Sequence, residues 1–339
     1  MKTNFIPRFL SQFLLVAVVA TALLTAHAAP PPALFEPALK EWLGARSGGV
    51  AAAHIDADGV TFYNAGTFDP ADDRPITADT QFEIGSVTKV FTALLLADTL
   101  QAGKVKLDDT VGAPFAPSAV TYQQLATHTA GLPRMPEDMV MGDPLNPYAG
   151  ETLATLVKSY NAIAAGVKPA PSSYSNFGFA VLGQSLAAVW GKSYEAVLTK
   201  HVLQPLGLRD TVLSWRLADA KRLAPPHSAG GMKNWDLNAF APAGALVSTS
   251  RDLARFVQAN LGLVATPLAA QMAETVKPHA PGDTPAEQNG LAWDLEQRGA
   301  SLIIWHNGAT GGYHSFIAFD PVKKTGDILH FVRRAGERP

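Results

Sequence analysis

Ser86-Val87-Thr88-Lys89 opens a run of apolar and helix-forming residues that continues to Ala102 and is closed by Gly103. A serine at such a point has its backbone N–H at a helix N-terminus, where the partial positive charge favours a developing oxyanion. The lysine three residues later lies one turn on, along the same face, so an amine stands beside the hydroxyl. A serine hydroxyl is a poor nucleophile until a neighbouring base takes its proton, and this spacing supplies a base without a histidine. Alone, the spacing is unspecific. It arises by chance about once in a chain of this length, and a helix N-cap serine followed by a solvated lysine reads the same way.

Two later groups change that balance. Tyr174-Ser175-Asn176 precedes a helical run and so sits on a loop that can be aimed into a cleft. A tyrosine could shuttle the serine proton if a lysine ammonium lowered its pKa. An asparagine offers donors and acceptors suited to an amide substrate. An ordinary helix-start turn with a half-buried tyrosine is the plainer reading of this triplet in isolation. Trp305-His306-Asn307-Gly308-Ala309-Thr310-Gly311-Gly312 ends one expected strand and begins the turn to the next. An edge strand beside the serine could donate a backbone N–H to the oxyanion, and glycines allow close approach of a ligand. A glycine-rich hairpin with a half-exposed histidine fits the same residues.

Together and in this order, Ser-x-x-Lys, Tyr-x-Asn and His-x-Gly resemble the motifs of the β-lactamase-related, penicillin-recognising serine hydrolases. That group includes class C β-lactamases, some D-alanyl-D-alanine carboxypeptidases, and related esterases and aminopeptidases. Further phrases similar to the family are Leu125-Ala126-Thr127-His128-Thr129-Ala130-Gly131-Leu132-Pro133, Pro205-Leu206-Gly207-Leu208 and Gly244-Ala245-Leu246-Val247-Ser248-Thr249, so the resemblance runs over residues 34–326. It implies that Ser86 is the acylated nucleophile and that Lys89 and Tyr174 share the general-base task, with Tyr174 then activating the deacylating water. Asn176 would hold Lys89 and the substrate amide. The N–H groups of Ser86 and Ala309 would form the oxyanion hole, with Gly308 leaving room for substrate. His306 would stand where class C β-lactamases place a lysine, which weakens the attraction for a substrate carboxylate. No cofactor or metal is implied.

Lys324-Thr325-Gly326 spells the lactamase third motif but follows Asp320-Pro321, in the turn after the next strand, and is read as a turn. His128 belongs to a family phrase that reads as structural. No G-x-S-x-G elbow, His-x-x-x-His pair or phosphate-loop fingerprint occurs.

The elements that must position these groups follow from periodicity. Residues 50–55 and 60–63 read as strands around an Asp56-Ala57-Asp58-Gly59 turn, and 67–81 as a loop. Helices are expected over 34–43, 86–102, 152–165, 177–190, 194–202 and, behind Thr249-Ser250-Arg251-Asp252, to 261. Four antiparallel strands are expected at 291–295, 302–306, 313–319 and 327–332. This is an α/β plan, an antiparallel sheet flanked by helices and built from both chain ends, and the resemblance implies that it is of the β-lactamase/transpeptidase-like type. Residues 29–103 and 225–339 would form the α/β lobe and 104–224 an inserted all-helical lobe, with the site between them.

Composition agrees with a globular enzyme: of 339 residues 47% are hydrophobic and 17% charged, enough for a large core. Residues 1–28 read as a secretory signal, with Lys2 and Arg8 before an apolar stretch and Ala26-His27-Ala28 as the cleavage site. Net charge is −2, and −4 once that segment is removed, so nucleic acid is an unlikely partner and no stable membrane insertion follows cleavage. There is no cysteine, which excludes thiol chemistry and a lipid anchor at cysteine. A periplasmic or extracellular monomer is expected. The chain stops soon after Val332, where family members usually continue into a helix on the sheet. An exposed apolar sheet face and lowered stability are the expectations there. The expected substrate is a β-lactam, or else a D-Ala-D-Ala peptide or an ester handled by the same residues; a non-hydrolysing penicillin or peptidoglycan sensor is the reading of another class.

Overall fold

The computed structural model describes residues 48–69, 72–214, 220–226, 233–282 and 284–333. The expected signal segment and the helix over 34–43 lie outside the described residues. Strands β1 (Gly48–Asp56) and β2 (Gly59–Asp69) form the first hairpin. Its turn is fixed by the Asp56 carboxylate, which accepts from the N–H groups of Asp58 and Gly59 at 2.8 and 3.1 Å. Part of the stretch 67–81, expected as loop, is strand: β2 runs to Asp69, and β3 (Asp72–Pro75) pairs back onto it. Its charges and proline suggested a loop, but they are equally at home on a sheet edge, where no further ladder is required.

After β4 (Phe82–Glu83) come the short strands β5 (Val212–Leu213) and β6 (Leu246–Ser248), which form a small sheet in the order β4-β6-β5. The C-terminal part supplies β7 (Ala280–Pro281), β8 (Glu287–Asn289), β9 (Asp294–Arg298), β10 (Ser301–Ala309), β11 (Tyr313–Asp320) and β12 (Thr325–Arg333). They join the first hairpin in a nine-stranded antiparallel sheet, ordered β3-β2-β1-β12-β11-β10-β9-β8-β7. Lys324 lies in the β11–β12 turn with its amine 2.6 Å from the Leu261 carbonyl, away from the serine, as the turn reading requires.

The helices are α1 (Thr88–Gln101), α2 (Tyr122–Ala126), α3 (Leu153–Ile163), α4 (Asn176–Trp190), α5 (Tyr194–Leu198), α6 (Ala241–Gly244), α7 (Ser250–Asn260) and α8 (Ala269–Thr275). Helix α1 is buried on every side, which marks it as the central post of the molecule. Helix α7 is amphipathic, capped by the Thr249 hydroxyl, which accepts from the Asp252 N–H. An aromatic series, Phe91–Phe256–Trp293–Phe319, with ring centres 4.5, 6.3 and 5.3 Å apart, ties α1 through α7 to the sheet.

Alternation places Ala51, Ala53 and Ile55 of β1 on the helix side of the sheet and Val50, Ala52 and His54 on the other. On that other side Val50, Ala52 and Tyr63 pack with Leu329 and Phe331, which are 9% and 6% exposed. The expectation of an exposed apolar face there is therefore corrected: these side chains are buried. The same face holds a charged pair, His54 Nδ1 to Asp327 Oδ1 at 2.7 Å, with both side chains almost wholly out of water. Burial alone would lower the His54 pKa, but the hydrogen bond and charge of Asp327 raise it above 6.5. Burial raises the Asp327 carboxyl as well. Both shifts bind protons more tightly in the folded state, so the pair stabilises most below about pH 6.5 and its contribution fades as pH rises through the folded value. Replacing Asp327 by asparagine strands a buried imidazole and should cost about 3–5 kcal/mol. Chemical denaturation at several pH values checks both points; equal stability of D327N and the wild type near pH 6 would overturn the assignment.

Candidate active site

Ser86 is displayed by a sharp change of direction. Ile84 donates its N–H to the Leu246 carbonyl at 2.9 Å, which anchors the end of β4. Gly85 then takes φ +48°, and a Cβ on it would lie 2.8 Å from the Ala309 backbone. Only glycine meets both demands. A single 3-10 turn, Gly85–Val87, leads into α1 and leaves Ser86 half-exposed at its head. Facing it, a Cβ on Gly308 would lie 2.1 Å from the Ile84 carbonyl oxygen and 2.9 Å from the Ser86 nitrogen. The Ser315 hydroxyl secures this seam by donating to Ile84 O at 2.7 Å. The backbone nitrogens of Ser86 and Ala309 thus belong to two main-chain segments in direct contact, the arrangement an oxyanion hole needs.

Lys89 is fully buried beneath the serine. Its Nζ lies 3.1 Å from Ser86 Oγ, 2.8 Å from Asn176 Oδ1 and 2.7 Å from the Ala243 carbonyl oxygen. Burial, reinforced by the Arg134 charge, holds the amine well below the ordinary lysine range. A neutral amine has two N–H bonds and one lone pair. Asn176 Oδ1 and Ala243 O can only accept, so they take the two hydrogens. When that amine is neutral, its lone pair faces the Ser86 hydroxyl, 3.1 Å away. Ala243 is available because it sits in the last turn of the four-residue helix α6, where carbonyls lack intrahelical partners.

Asn176 is oriented by two groups that sequence reading missed. Its Nδ2 donates to the Tyr148 hydroxyl at 2.9 Å, and Tyr148 is wedged between Trp235 and Phe240. Its backbone N–H donates to the Arg134 carbonyl at 3.1 Å. Tyr148 lies in a stretch without periodicity, and a lone tyrosine carries no motif signal. The Leu125–Pro133 phrase acquires a purpose here. His128, at φ +60°, accepts from the Ser175 N–H through Nδ1 at 3.0 Å, and the Ser175 hydroxyl donates to the Pro133 carbonyl at 2.7 Å. This loop is the platform on which Tyr174 and Asn176 stand.

Tyr174 packs between two imidazoles, its ring centre 4.5 Å from that of His128 and 6.4 Å from that of His306. Its hydroxyl is hydrogen-bonded to Ser86, yet burial pushes the phenol well above 10, only partly offset by that bond and by the Arg134 charge. A lysine ammonium could lower such a phenol, but the balance at Tyr174 is upward. His306 is 3% exposed, and its Nδ1–H donates to the Asn307 carbonyl at 2.6 Å. Burial and the Lys89 amine push it down to about 3, so the imidazole is neutral at pH 7. The structure therefore brings Ser86, Lys89, Tyr174, Asn176, His306, Gly308 and Ala309 to one place.

A family model described as Beta-lactamase matches residues 33–337. The chain is 28% identical over 358 residues to the D-alanyl-D-alanine-carboxypeptidase/endopeptidase AmpH of Escherichia coli (strain K12), covering 95% of this chain and 91% of that one. It is 27% identical over 322 residues to a Beta-lactamase of the same organism, covering 83% of each. A class C beta lactamase from Rhodobacter sphaeroides has the same fold, with a TM-score of 0.76 at 21% identity over 90% of this chain and 95% of that one. The chain belongs to the beta-lactamase family, a family of serine hydrolases, and has its antiparallel sheet flanked by helices.

Because Gly308 has no room for a Cβ against Ile84 O, Gly308→Ala should separate β10 from the serine turn. A loss of turnover of about 10²-fold or more is expected, of the size seen when one oxyanion donor is removed. An alanine variant with wild-type kcat would show that this seam is not the oxyanion site.

Proposed function

We propose that this protein is an exported serine hydrolase that is acylated on Ser86 and that its reaction is β-lactam hydrolysis. The observation that carries the reading is the buried Lys89 amine, held by Asn176 Oδ1 and the Ala243 carbonyl at 3.1 Å from the Ser86 hydroxyl, where loss of its proton turns a lone pair toward that hydroxyl. The Ser86 proton passes to Lys89 Nζ as Oγ bonds to the substrate carbonyl carbon. The carbonyl oxygen takes up negative charge between the Ser86 and Ala309 N–H groups. The C–N bond then breaks, and the leaving nitrogen receives the proton from Lys89 through the Tyr174 hydroxyl, which acts as a neutral relay. In a lactam the released amine stays tethered. Water, giving its proton along the same route in reverse, cleaves the ester and restores Ser86.

A second reading is favoured by one observation. His306 is neutral where class C β-lactamases place a lysine, a departure from the β-lactamase pattern that favours a D-Ala-D-Ala carboxypeptidase or an esterase using the same residues. The AmpH likeness over most of both chains supports that direction. The substrate in either case is a small molecule or peptide carbonyl, and no cofactor enters the steps. Export to the periplasm or beyond, with antibiotic resistance as its consequence for a β-lactamase, rests on the N-terminal signal pattern. Among the described residues no helix is long and apolar enough to cross a membrane.

Intact-mass spectrometry after addition of a penicillin tests the reading. A transient adduct with drug consumption is expected of a β-lactamase; a lasting adduct indicates the peptidase. Ser86→Ala should abolish the adduct, and an adduct that survives this change would sink the assignment. The acid limb of kcat/KM should lie well below the free lysine value of about 10.4, because Lys89 is the base and its pKa is depressed. Activity rising only near pH 10 would contradict it.

A further inference from the structure

The site lacks a charge where one is needed. His306 and His128 are both held neutral by burial, and Lys89 is depressed too. A permanent cation stands beside it. Arg134 is exposed, and its guanidinium carbon lies 5.0 Å from the centre of the Tyr174 ring. It belongs to the platform loop, with its own carbonyl accepting from the N–H groups of Asn176 and Phe177 at 3.1 and 3.2 Å. Its backbone is thus tied to the segment that carries Tyr174 and Asn176. Its charge is felt by Lys89, His128, Tyr174 and Tyr148 alike.

The guanidinium has no salt bridge or side-chain hydrogen bond among the described residues, its one contact being the Tyr174 ring, although Glu137 and Asp138 follow it in the chain. Stacking on an aromatic face engages the plane of a guanidinium and leaves its five N–H donors at the edge. Those donors form the planar fork that matches a carboxylate bidentately. A protein gains little stability from such an unpaired surface arginine. Beside a serine with its base and oxyanion donors, it is a recognition element.

We infer that Arg134 binds a carboxylate of the substrate and thereby sets a preference for anionic over uncharged substrates, supplying from the helical side of the cleft the charge that His306 does not supply from β10. This rests on Ser86 being the acylated nucleophile. Arg134 is a specificity residue: it takes no proton and forms no bond in the reaction.

Two matched pairs of substrates separate the carboxylate's possible origins. Benzoyl-D-alanyl thioglycolate and its methyl ester differ in a carboxylate on the leaving group. The p-nitrophenyl monoester of glutaric acid and p-nitrophenyl butyrate differ in one on the acyl group. In Arg134→Gln the preference for the charged member should fall about 10–100-fold in one pair, chiefly through KM, as expected for loss of a charge-assisted hydrogen-bonded pair. Arg134→Lys should restore part of it. The responding pair identifies the side. Unchanged preference in both pairs overturns the inference, as does an equal loss for charged and uncharged members, which would make Arg134 only a prop for Tyr174. Calorimetric binding of the same compounds to Ser86→Ala and to its Arg134→Gln derivative reads the preference without turnover. Failure of wild-type Ser86 to acylate would refute the nucleophile assignment while leaving that binding comparison decisive.

Discussion

A lysine amine sealed from water is the constraint around which this structure is organised. Burial disfavours the charged form of an amine and lowers its pKa, and whatever hydrogen bonds it loses to water must be replaced from within the protein. The chain surrounds Lys89 with acceptors drawn from far apart, Asn176 and Ala243, 87 and 154 residues away in sequence. Helix α1 must run through the centre of the molecule to bring the amine to that depth, and it is accordingly apolar on all sides. The head of α4 and the last turn of α6 are held against it. Even the polar groups of α1 are spoken for: the Thr92 hydroxyl meets both the Tyr194 hydroxyl and the Pro242 carbonyl at 2.7 Å.

The same burial decides the electrostatics of the whole cleft. It removes charge from His128 and His306, and it keeps the Tyr174 phenol protonated. Each group then has a fixed donor and acceptor pattern: His306 donates through Nδ1, His128 accepts through Nδ1, and Tyr174 is a hydroxyl able to receive and give. A proton relay needs such definition more than it needs charge. On the far side of the sheet, burial has the opposite result for His54, because Asp327 lies close enough to outweigh it.

Motifs made of contiguous residues were legible in the sequence because their chemistry and their local conformation coincide. Ser86 and Lys89 share a helix face, Tyr174 and Asn176 flank a cap, and the glycines after His306 mark a close approach. The hairpin and the four C-terminal strands followed from alternation, although β2 runs on to Asp69, well past its expected end at Tyr63. Other features depend on contacts between distant segments. Tyr148, the Ala243 carbonyl and Ser315 have no pattern of their own. Strand β3 looked like a loop because charges and proline do not distinguish a sheet edge from a turn. The upward shift of Tyr174 was not legible for a related reason: desolvation is a property of the packed site, and the triplet alone suggests only the neighbouring amine.

The seam between Gly85 and Ala309, and between Gly308 and Ile84, is backbone against backbone. Its N–H groups are common to every amino acid but proline, so this part of the cleft depends on side-chain identity only through its two glycines and the Ser315 hydroxyl that ties it. Variation elsewhere on the cleft walls leaves it intact. A lineage built on this frame is therefore free to exchange one acyl donor for another by altering loops and rims, while inheriting the reactive centre unchanged. Diversity of substrate within a single architecture is the evolutionary counterpart of that bare seam.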